Sequence, residues 1–214
     1  MQRLRIRLSR GEEIKFISHL DIMRLWERAL RRARIPLAYS EGFNPHPRIS
    51  LAAPLPVGVT SDAELMDVFT VKWVSPHWFT GMMSEQLPLG VNILEVYPIA
   101  PTMPSLQSMV RYAEYRVEVA TENGLEEVES AIASLLSAEH LPWHHQRDTG
   151  QRNYDLRALI DDIWSINRND LHLTIGMRLR CGSSGSGRAE QVTAALGLTY
   201  YPRSIHRTKL ILQA

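Results

Sequence analysis

The sequence predicts an α+β protein built from two tandem ferredoxin-like halves, each with a split βαβ arrangement. Two observations support this fold class. Hydrophobic periodicity in the first hundred residues gives the order strand, helix, two strands, helix, strand. The same order follows a proline- and serine-containing segment, without a residue-level repeat. We therefore expect a first domain at 1–100, a linker at 101–108 and a second domain at 109–214.

The first domain opens on a strand at residues 3–8, where leucine or isoleucine alternates with arginine, as in a half-buried strand. Ser18 stands where a helix N-cap is expected, and apolar residues at helical spacing predict a helix ending near Arg34, before Ile35-Pro36. Extended pieces at 37–39 and 48–53, a strand at 63–73, a helix at 75–86 and a strand at 91–98 follow.

The second domain has its clearest signal at residues 171–180, where apolar and polar side chains alternate as in a strand with one buried face. Gly197 has the position of a helix C′ glycine. The other expected elements are strands at 111–120, 143–147, 154–160 and 204–213 and helices at 124–137 and 188–196.

Composition excludes several classes of protein. No run of 18 apolar residues is present, and the opening MQRLRIRLSR lacks the apolar core of a signal peptide, so we expect a cytoplasmic protein without a membrane span. The single cysteine, Cys181, rules out an internal disulfide, a four-cysteine zinc site and a thiolate-held iron–sulfur cluster within this chain.

Charge is unevenly distributed along the chain, although the formal net charge is only +1. Residues 1–48 hold eleven Lys/Arg against five Asp/Glu, a balance of +6, and residues 49–105 hold one against five, a balance of −4. A basic segment of this kind can bind an anionic partner. The alternative is a solvated arginine face with no ligand.

Glu41 to Leu55, EGFNPHPRISLAAPL, is a polar loop that three prolines stiffen, which reduces the entropy lost when its side chains are held in place. We expect this loop to face the start of the first helix across a rigid crevice that suits a ligand with several hydrogen-bonding groups. The candidate ligand-binding residues are Ser18, His19, Asp21, Asn44, His46 and Arg48.

Two segments could bind nucleic acid. The first is the arginine face of the first helix, and the second is GSSGSGR, a glycine-rich loop before a predicted helix, where free N–H groups could bind phosphate. The loop lacks the Lys-Ser/Thr of a P-loop, and a flexible connector is the alternative. The candidate nucleic-acid-binding residues are Arg24, Arg28, Arg31, Arg32, Gly185, Gly187 and Arg188.

The aromatic and histidine residues leave further alternatives open. Tyr39, Phe43 and His46 could stack on a base, or Phe43 could fill the core beneath the loop. Tryptophans 26, 73 and 78 have spacing compatible with core packing. No H-E-x-x-H occurs, and the adjacent histidines 144 and 145 would face opposite sides of a strand, so no metal site is expected.

Three stretches resemble the uncharacterised radical-SAM-linked domain family. They are FISHLDIMRLWERALRRA at 16–33, YSEGFNPHPRIS at 39–50 and PLPVG at 54–58. YDLRALI and GRAEQVTAALGL in the second half also resemble family elements, with Ala189 in place of the usual proline, as does the segment near 203–208.

The resemblance implies a function, because such relatives occur alone or joined to the C-terminus of radical SAM proteins, often encoded near ribonuclease G/E-type and ribosomal genes. It implies an accessory substrate-binding module for RNA or a ribosomal component. The chain has no C-x-x-x-C-x-x-C, so an iron–sulfur cluster and S-adenosylmethionine are expected only on a partner. Two alternatives remain, a metal-independent RNA-processing or RNA-modifying enzyme using His19 or His46 as general acid or base, and a protein-interaction domain. Catalysis by this chain alone is not favoured.

Overall fold

The computed structural model describes residues 1–147, 150–168, 172–182 and 185–213. The prediction of a mixed α and β protein is confirmed. The chain divides into two compact units, Met1–Val110 and Arg111–Ile211, and Leu212 and Gln213 join the first. The segment predicted as a linker lies in the first unit, where Leu106–Met109 form a short helix. No described helix is both long enough and apolar enough to cross a membrane.

The first unit contains four strands, β1 at Gln2–Arg10, β2 at Ile49–Leu51, β3 at Thr60–Thr70 and β4 at Val91–Ile99. They pair antiparallel in the spatial order β4, β1, β3, β2. Its helices are α1 at His19–Arg32, α2 at Pro76–Ser84 and the short α3 at Leu106–Met109. Since β3 ends at Thr70, three residues before the predicted boundary, Trp73 lies outside the strand.

Helix α1 packs on the strands through one apolar face. Ser18 caps its N-terminus, as predicted, and Arg34 follows its end with a left-handed φ of 53°. The buried side chains of α1 join a core with apolar residues of β1 and β3. These helix residues are Ile22, Trp26, Ala29 and Leu30. The opposite face of α1 is therefore left for solvent and ligands.

The side of strand β1 that carries its alternating arginines is more buried than a half-buried strand would be. Arg3 and Arg5 are both buried, and only Arg7 is solvated. Asp67 of β3, itself fully buried, accepts hydrogen bonds from both guanidinium groups at 2.6–3.0 Å. Burial alone would lower the pKa of Arg5, but its hydrogen bonds and charge interaction with Asp67 raise that pKa above its usual value. Pairing with Asp67 thus permits β1 to be buried on both faces.

The second unit contains β5 at Val110–Ala120, β8 at Ile160–Arg168, β9 at His172–Gly182 and β11 at Ser204–Leu212, in the order β8, β9, β5, β11. A two-residue strand, β10 at Gly185–Ser186, also pairs with β9. The hairpin of β6 at Pro142–Arg147 and β7 at Gly150–Asp155 forms a separate sheet. The helices are α4 at Leu125–Ser137 and α5 at Ala189–Ala195. The predicted strand at 154–160 was wrong, because β7 ends at Asp155 and β8 begins at Ile160.

Candidate functional site

The solvated face of α1 carries the predicted arginines. Residues 24, 28, 31 and 32 project within an arc of about 100° when each residue turns the helix by about 100°. All four side chains are exposed, whereas the apolar face of the same helix is buried. We call the side chains of Arg24, Arg28, Arg31 and Arg32 the arginine face. The structure thus brings these four predicted residues together.

A groove of about 800 Å³ runs along α1 beside this face. Its helix side contains two predicted ligand-binding residues and two predicted nucleic-acid-binding residues. Its other wall is the segment that follows α2. The lining consists of Phe16, Ile17, Ser18, Asp21, Leu25, Arg28, Arg32, Gln86, Leu87 and Pro88. The helix residues recur every three or four positions, so the groove follows one stripe of α1; we call it the α1 groove.

The N-terminal end of the α1 groove is ordered by the helix cap. The hydroxyl of Ser18 accepts a hydrogen bond from the backbone N–H of Asp21 at 3.2 Å and donates one to its Oδ2 at 2.8 Å. The Ser18 hydrogen bond is the main cause that lowers the pKa of Asp21, with a hydrogen bond from Arg24 and the charges of Arg24 and Arg28 adding to it. Asp21 is therefore a carboxylate at neutral pH.

The four arginines differ in how far they are already engaged. Arg24 forms an exposed ion pair with Asp21 at 3.2 Å, which partly neutralises its charge. Arg28 donates to the carbonyl of Arg24 at 3.2 Å, and Arg32 donates to the carbonyl of Gln86 at 2.8 Å. A carbonyl leaves the positive charge of a guanidinium uncompensated. Arg28 and Arg32 therefore present fixed cations at the wall of the α1 groove.

The loop at 41–48 does not face the start of α1, so the predicted crevice between them is wrong. Arg48 lies beside Phe69 and its backbone N–H donates to the carbonyl of Ala38, next to the end of β3. The start of α1 is instead tied to the other end of the sheet, where Arg10 donates to the carbonyl of Ile17. The two ends of β1 are roughly 25 Å apart, given a rise of about 3.3 Å per residue.

The remaining ligand-binding candidates divide between these two ends. His19 lies beside Ser18 at the start of α1, and its buried Nδ1 has no hydrogen-bond partner among the described residues. Asn44, His46 and Arg48 are exposed in the loop, and the backbone of His46 bonds to Ser40. His19 and His46 therefore cannot act as a pair on one bond. A ligand-binding role for each residue stays a prediction.

The glycine-rich segment has a structural role in the hairpin between β9 and β10. Gly185 pairs with Gly182 across it, and the backbone N–H of Gly187 donates to the carbonyl of Arg180 at 2.9 Å. A Cβ on Gly187 would lie 3.0 Å from the carbonyl oxygen of Leu159, so close packing favours glycine there. This N–H is not free for a phosphate, and residues 183 and 184 lie outside the described part of the chain.

Arg188 is the N-cap residue of the short α5 in the second unit, and it forms a partly buried ion pair with Glu190 at 3.6 Å. Its charge is thus partly compensated. Nucleic-acid binding by this residue and by the two glycines stays a prediction, which the geometry of the hairpin does not favour.

Sequence reasoning missed a second pocket, of about 370 Å³, on the β6–β7 hairpin of the second unit. The Nδ1 of His140 lies 2.8 Å from Asp155, and the Nδ1 of His144 lies 2.8 Å from the side-chain oxygen of Asn153. The hydrogen bond with His140 is the main cause that lowers the pKa of Asp155, and backbone N–H groups including that of Leu141 add to it. The described residues contain no group of three or more His, Cys, Asp and Glu that could hold a metal ion.

Two aromatic predictions also need correction. Trp26 is buried as expected, but Trp73 and Trp78 are 75% and 44% exposed, because β3 ends before Trp73 and Trp78 lies on the solvent side of the first turn of α2. Phe43 is fully exposed and does not fill the core beneath its loop. Tyr39 is exposed as well.

Together the fold and the site define a mixed α and β protein with a basic helix face and an adjoining groove. A family model described as "Uncharacterized protein conserved in bacteria (DUF2344)" matches residues 3–189. The chain belongs to this family. No curated protein matches it.

Two solved structures show a similar fold. A chain of a Cbf5–Nop10–Gar1 complex is 9% identical with a TM-score of 0.54, over 97% of this chain and 48% of that chain. A chain of an H/ACA RNP bound to a substrate RNA containing 2′-deoxyuridine is 8% identical with a TM-score of 0.52, over 97% and 47%. The present chain thus spans about half the length of either neighbour, and at these identities the likeness concerns the fold alone.

Proposed function

We propose that this protein is a non-catalytic accessory module that binds RNA, or the RNA of a ribosomal component, for a radical SAM enzyme. The observation that carries RNA binding is the arginine face of α1 beside the α1 groove. Four exposed guanidinium groups within one arc suit a chain of phosphates, since each can donate two parallel hydrogen bonds. Asp21 would hold Arg24 in place at the edge of this surface.

One further consideration supports RNA as the anion. The fold resembles that of a chain in an RNA-bound ribonucleoprotein, which makes RNA the first ligand to test.

The topology that we propose for this protein is two ferredoxin-like halves. The strand orders β4-β1-β3-β2 and β11-β5-β9-β8 support it, with the β6–β7 hairpin as an insertion in the second half. Antiparallel sheets of this type leave their helices on one face, where α1 is available to a ligand.

The arginine face is tested by replacing Arg24, Arg28, Arg31 and Arg32 together with glutamine and measuring affinity for single-stranded RNA at 50 mM salt. With about four phosphates neutralised by the wild type, we expect affinity to fall by at least tenfold, because the neutral side chains of the variant release no counterions from the RNA. Arg7→Gln is the matched control, since Arg7 is an exposed arginine of the same unit that already pairs with Glu95. Equal affinity in the wild type and the fourfold variant would contradict the proposal.

The enzyme partner rests on the sequence resemblance alone and has its own test. We expect a tagged chain to retain a co-expressed radical SAM protein from the same genome after nuclease treatment, because a direct protein contact does not need RNA. Loss of the partner on nuclease treatment would show bridging by RNA, and absence of the partner in both samples would reject the association. The RNA-binding measurement is independent of either result.

A further inference from the structure

Exposed aromatic rings gather at the end of the first unit where β3 ends and β1 begins. Phe43 has its whole side chain in solvent, and Trp73 is 75% exposed. Tyr39 and Trp78 are each exposed by nearly half. Rings of this size are normally buried, because each buries a large apolar area on packing, so a group of them in solvent marks an interaction surface.

Backbone hydrogen bonds fix these rings at the same end. Ala38, next to Tyr39, donates to the carbonyl of Phe69, and Val71 donates to the carbonyl of Pro36. A bridge between Tyr39 and Pro47 closes the base of the loop that holds Phe43. Trp78 lies in the first turn of α2, which is capped by Ser75, two residues after Trp73. We call the side chains of Tyr39, Phe43, Trp73 and Trp78 the aromatic end.

Cations accompany these rings. The guanidinium of Arg48 lies over the ring of Phe69, 4.4 Å from its centroid, and Lys72 is exposed between β3 and Trp73. Within 34–48 and 69–78 the charged residues are three Lys/Arg and one Asp/Glu, a balance of +2. The helix that carries the arginine face also ends here, because Leu37, five residues after α1, pairs with Thr70.

We propose that the aromatic end binds unpaired nucleobases of single-stranded RNA by stacking, while the arginine face binds the phosphates of the same strand. This inference rests on the proposed function and adds the kind of RNA that is bound. Every base has a π-face, so stacking on exposed rings tolerates any sequence but requires bases outside a duplex. Cations among the rings favour a polyanion over an apolar protein segment, which would leave Arg48 and Lys72 without counter-charges.

The test compares a single-stranded oligoribonucleotide with the duplex of the same sequence. In Phe43→Leu and Trp73→Leu we expect single-strand affinity to fall roughly 5- to 150-fold, the range found for the loss of one stacked base. Leucine keeps an apolar side chain but has no π-face, and both positions are exposed, so the fold is unaffected. Phe43→Tyr and Trp73→Phe keep a ring and should retain most of the affinity. Leu94→Ala, an exposed apolar residue of β4, is the control.

Three outcomes would overturn the inference. The first is single-strand affinity within twofold of wild type in both leucine variants, with the arginine face still required, which leaves the proposed function intact. The second is an equal loss of affinity for the single strand and for the duplex in the leucine variants. The third is loss of a co-purifying protein in the leucine variants while RNA affinity is unchanged. Absence of any RNA binding by the wild type would instead reject the proposed function, and the stacking inference with it.

Discussion

Replacing Asp67 by alanine is expected to lower the free energy of unfolding of the first unit by about 3–5 kcal/mol, the range for removing one partner of a buried ion pair. The carboxylate is fully buried and accepts hydrogen bonds from both Arg3 and Arg5. Without it, two guanidinium groups would remain buried in the sheet with no counter-charge. Among the described residues, Arg3 would keep its hydrogen bonds to the carbonyls of Met103 and Pro104 and its contact with the ring of Phe69, none of which supplies a full negative charge.

Urea unfolding of Asp67→Ala, followed by tryptophan fluorescence, to which the buried Trp26 of the first unit contributes, measures this loss. Glu95→Ala is the matched control, because Glu95 also pairs with an arginine of β1 but does so in solvent at 3.6 Å. Surface pairs of this kind contribute about 0–1 kcal/mol. A similar small effect in both variants would show that Asp67 is not what permits the arginine side of β1 to be buried.

Substituting Gly176 by alanine is expected to lower the free energy of unfolding of the second unit by about 2–3 kcal/mol. Gly176 of β9 lies opposite Trp164 of β8. A methyl group on Gly176 would overlap the indole ring, which lies directly over the glycine backbone. The tryptophan must leave this position and expose apolar area, so the loss comes from overpacking and not from backbone strain.

A double-mutant cycle separates these causes. In a Trp164→Ala background the added methyl group meets no ring, so Gly176→Ala should then cost less than about 1 kcal/mol. Gly81→Ala in α2 is a contrasting control, since nothing lies within 4 Å of a Cβ there and alanine favours a helix by up to about 1 kcal/mol. Equal costs of Gly176→Ala with and without the tryptophan would refute the overlap.

Local sequence signals predicted the elements whose causes are local. Ser18 caps α1, as its position before an apolar period indicated, and the second helix begins at Pro76, within one residue of its predicted start. The alternation of apolar and polar residues predicted β9 correctly, because its more buried and less buried positions follow a period of two over most of its length. Strand β8 was missed because irregular pairing at 160–162 and 165–167 interrupts that period.

Contacts between distant segments could not be predicted in this way. The burial of Arg3 depends on Asp67, 64 residues away, and an alternating strand with one charged face looks the same whether or not a counter-charge covers it. The α1 groove likewise needs Gln86 beside Arg32, 54 residues earlier. The arginine face itself was predicted, since four arginines within nine residues of one helix require no tertiary information.

The predicted crevice failed because the loop at 41–48 follows the C-terminal end of α1, whereas Ser18 caps its N-terminal end. A 14-residue helix separates its ends by about 20 Å, so sequence proximity to α1 did not bring the loop near its start. The same loop instead contributes Phe43 to the aromatic end. Its stiffness thus serves a different surface from the one expected.

The affinity of the wild-type chain for single-stranded RNA, measured between 50 and 200 mM salt, tests the central claim most directly. If the arginine face binds about four phosphates, log affinity should fall against log salt with a slope near −3, roughly a fiftyfold loss over this range. The fourfold glutamine variant should show a slope close to zero. A flat response in the wild type, or the same slope in both proteins, would contradict the assignment of α1 as the RNA-binding helix.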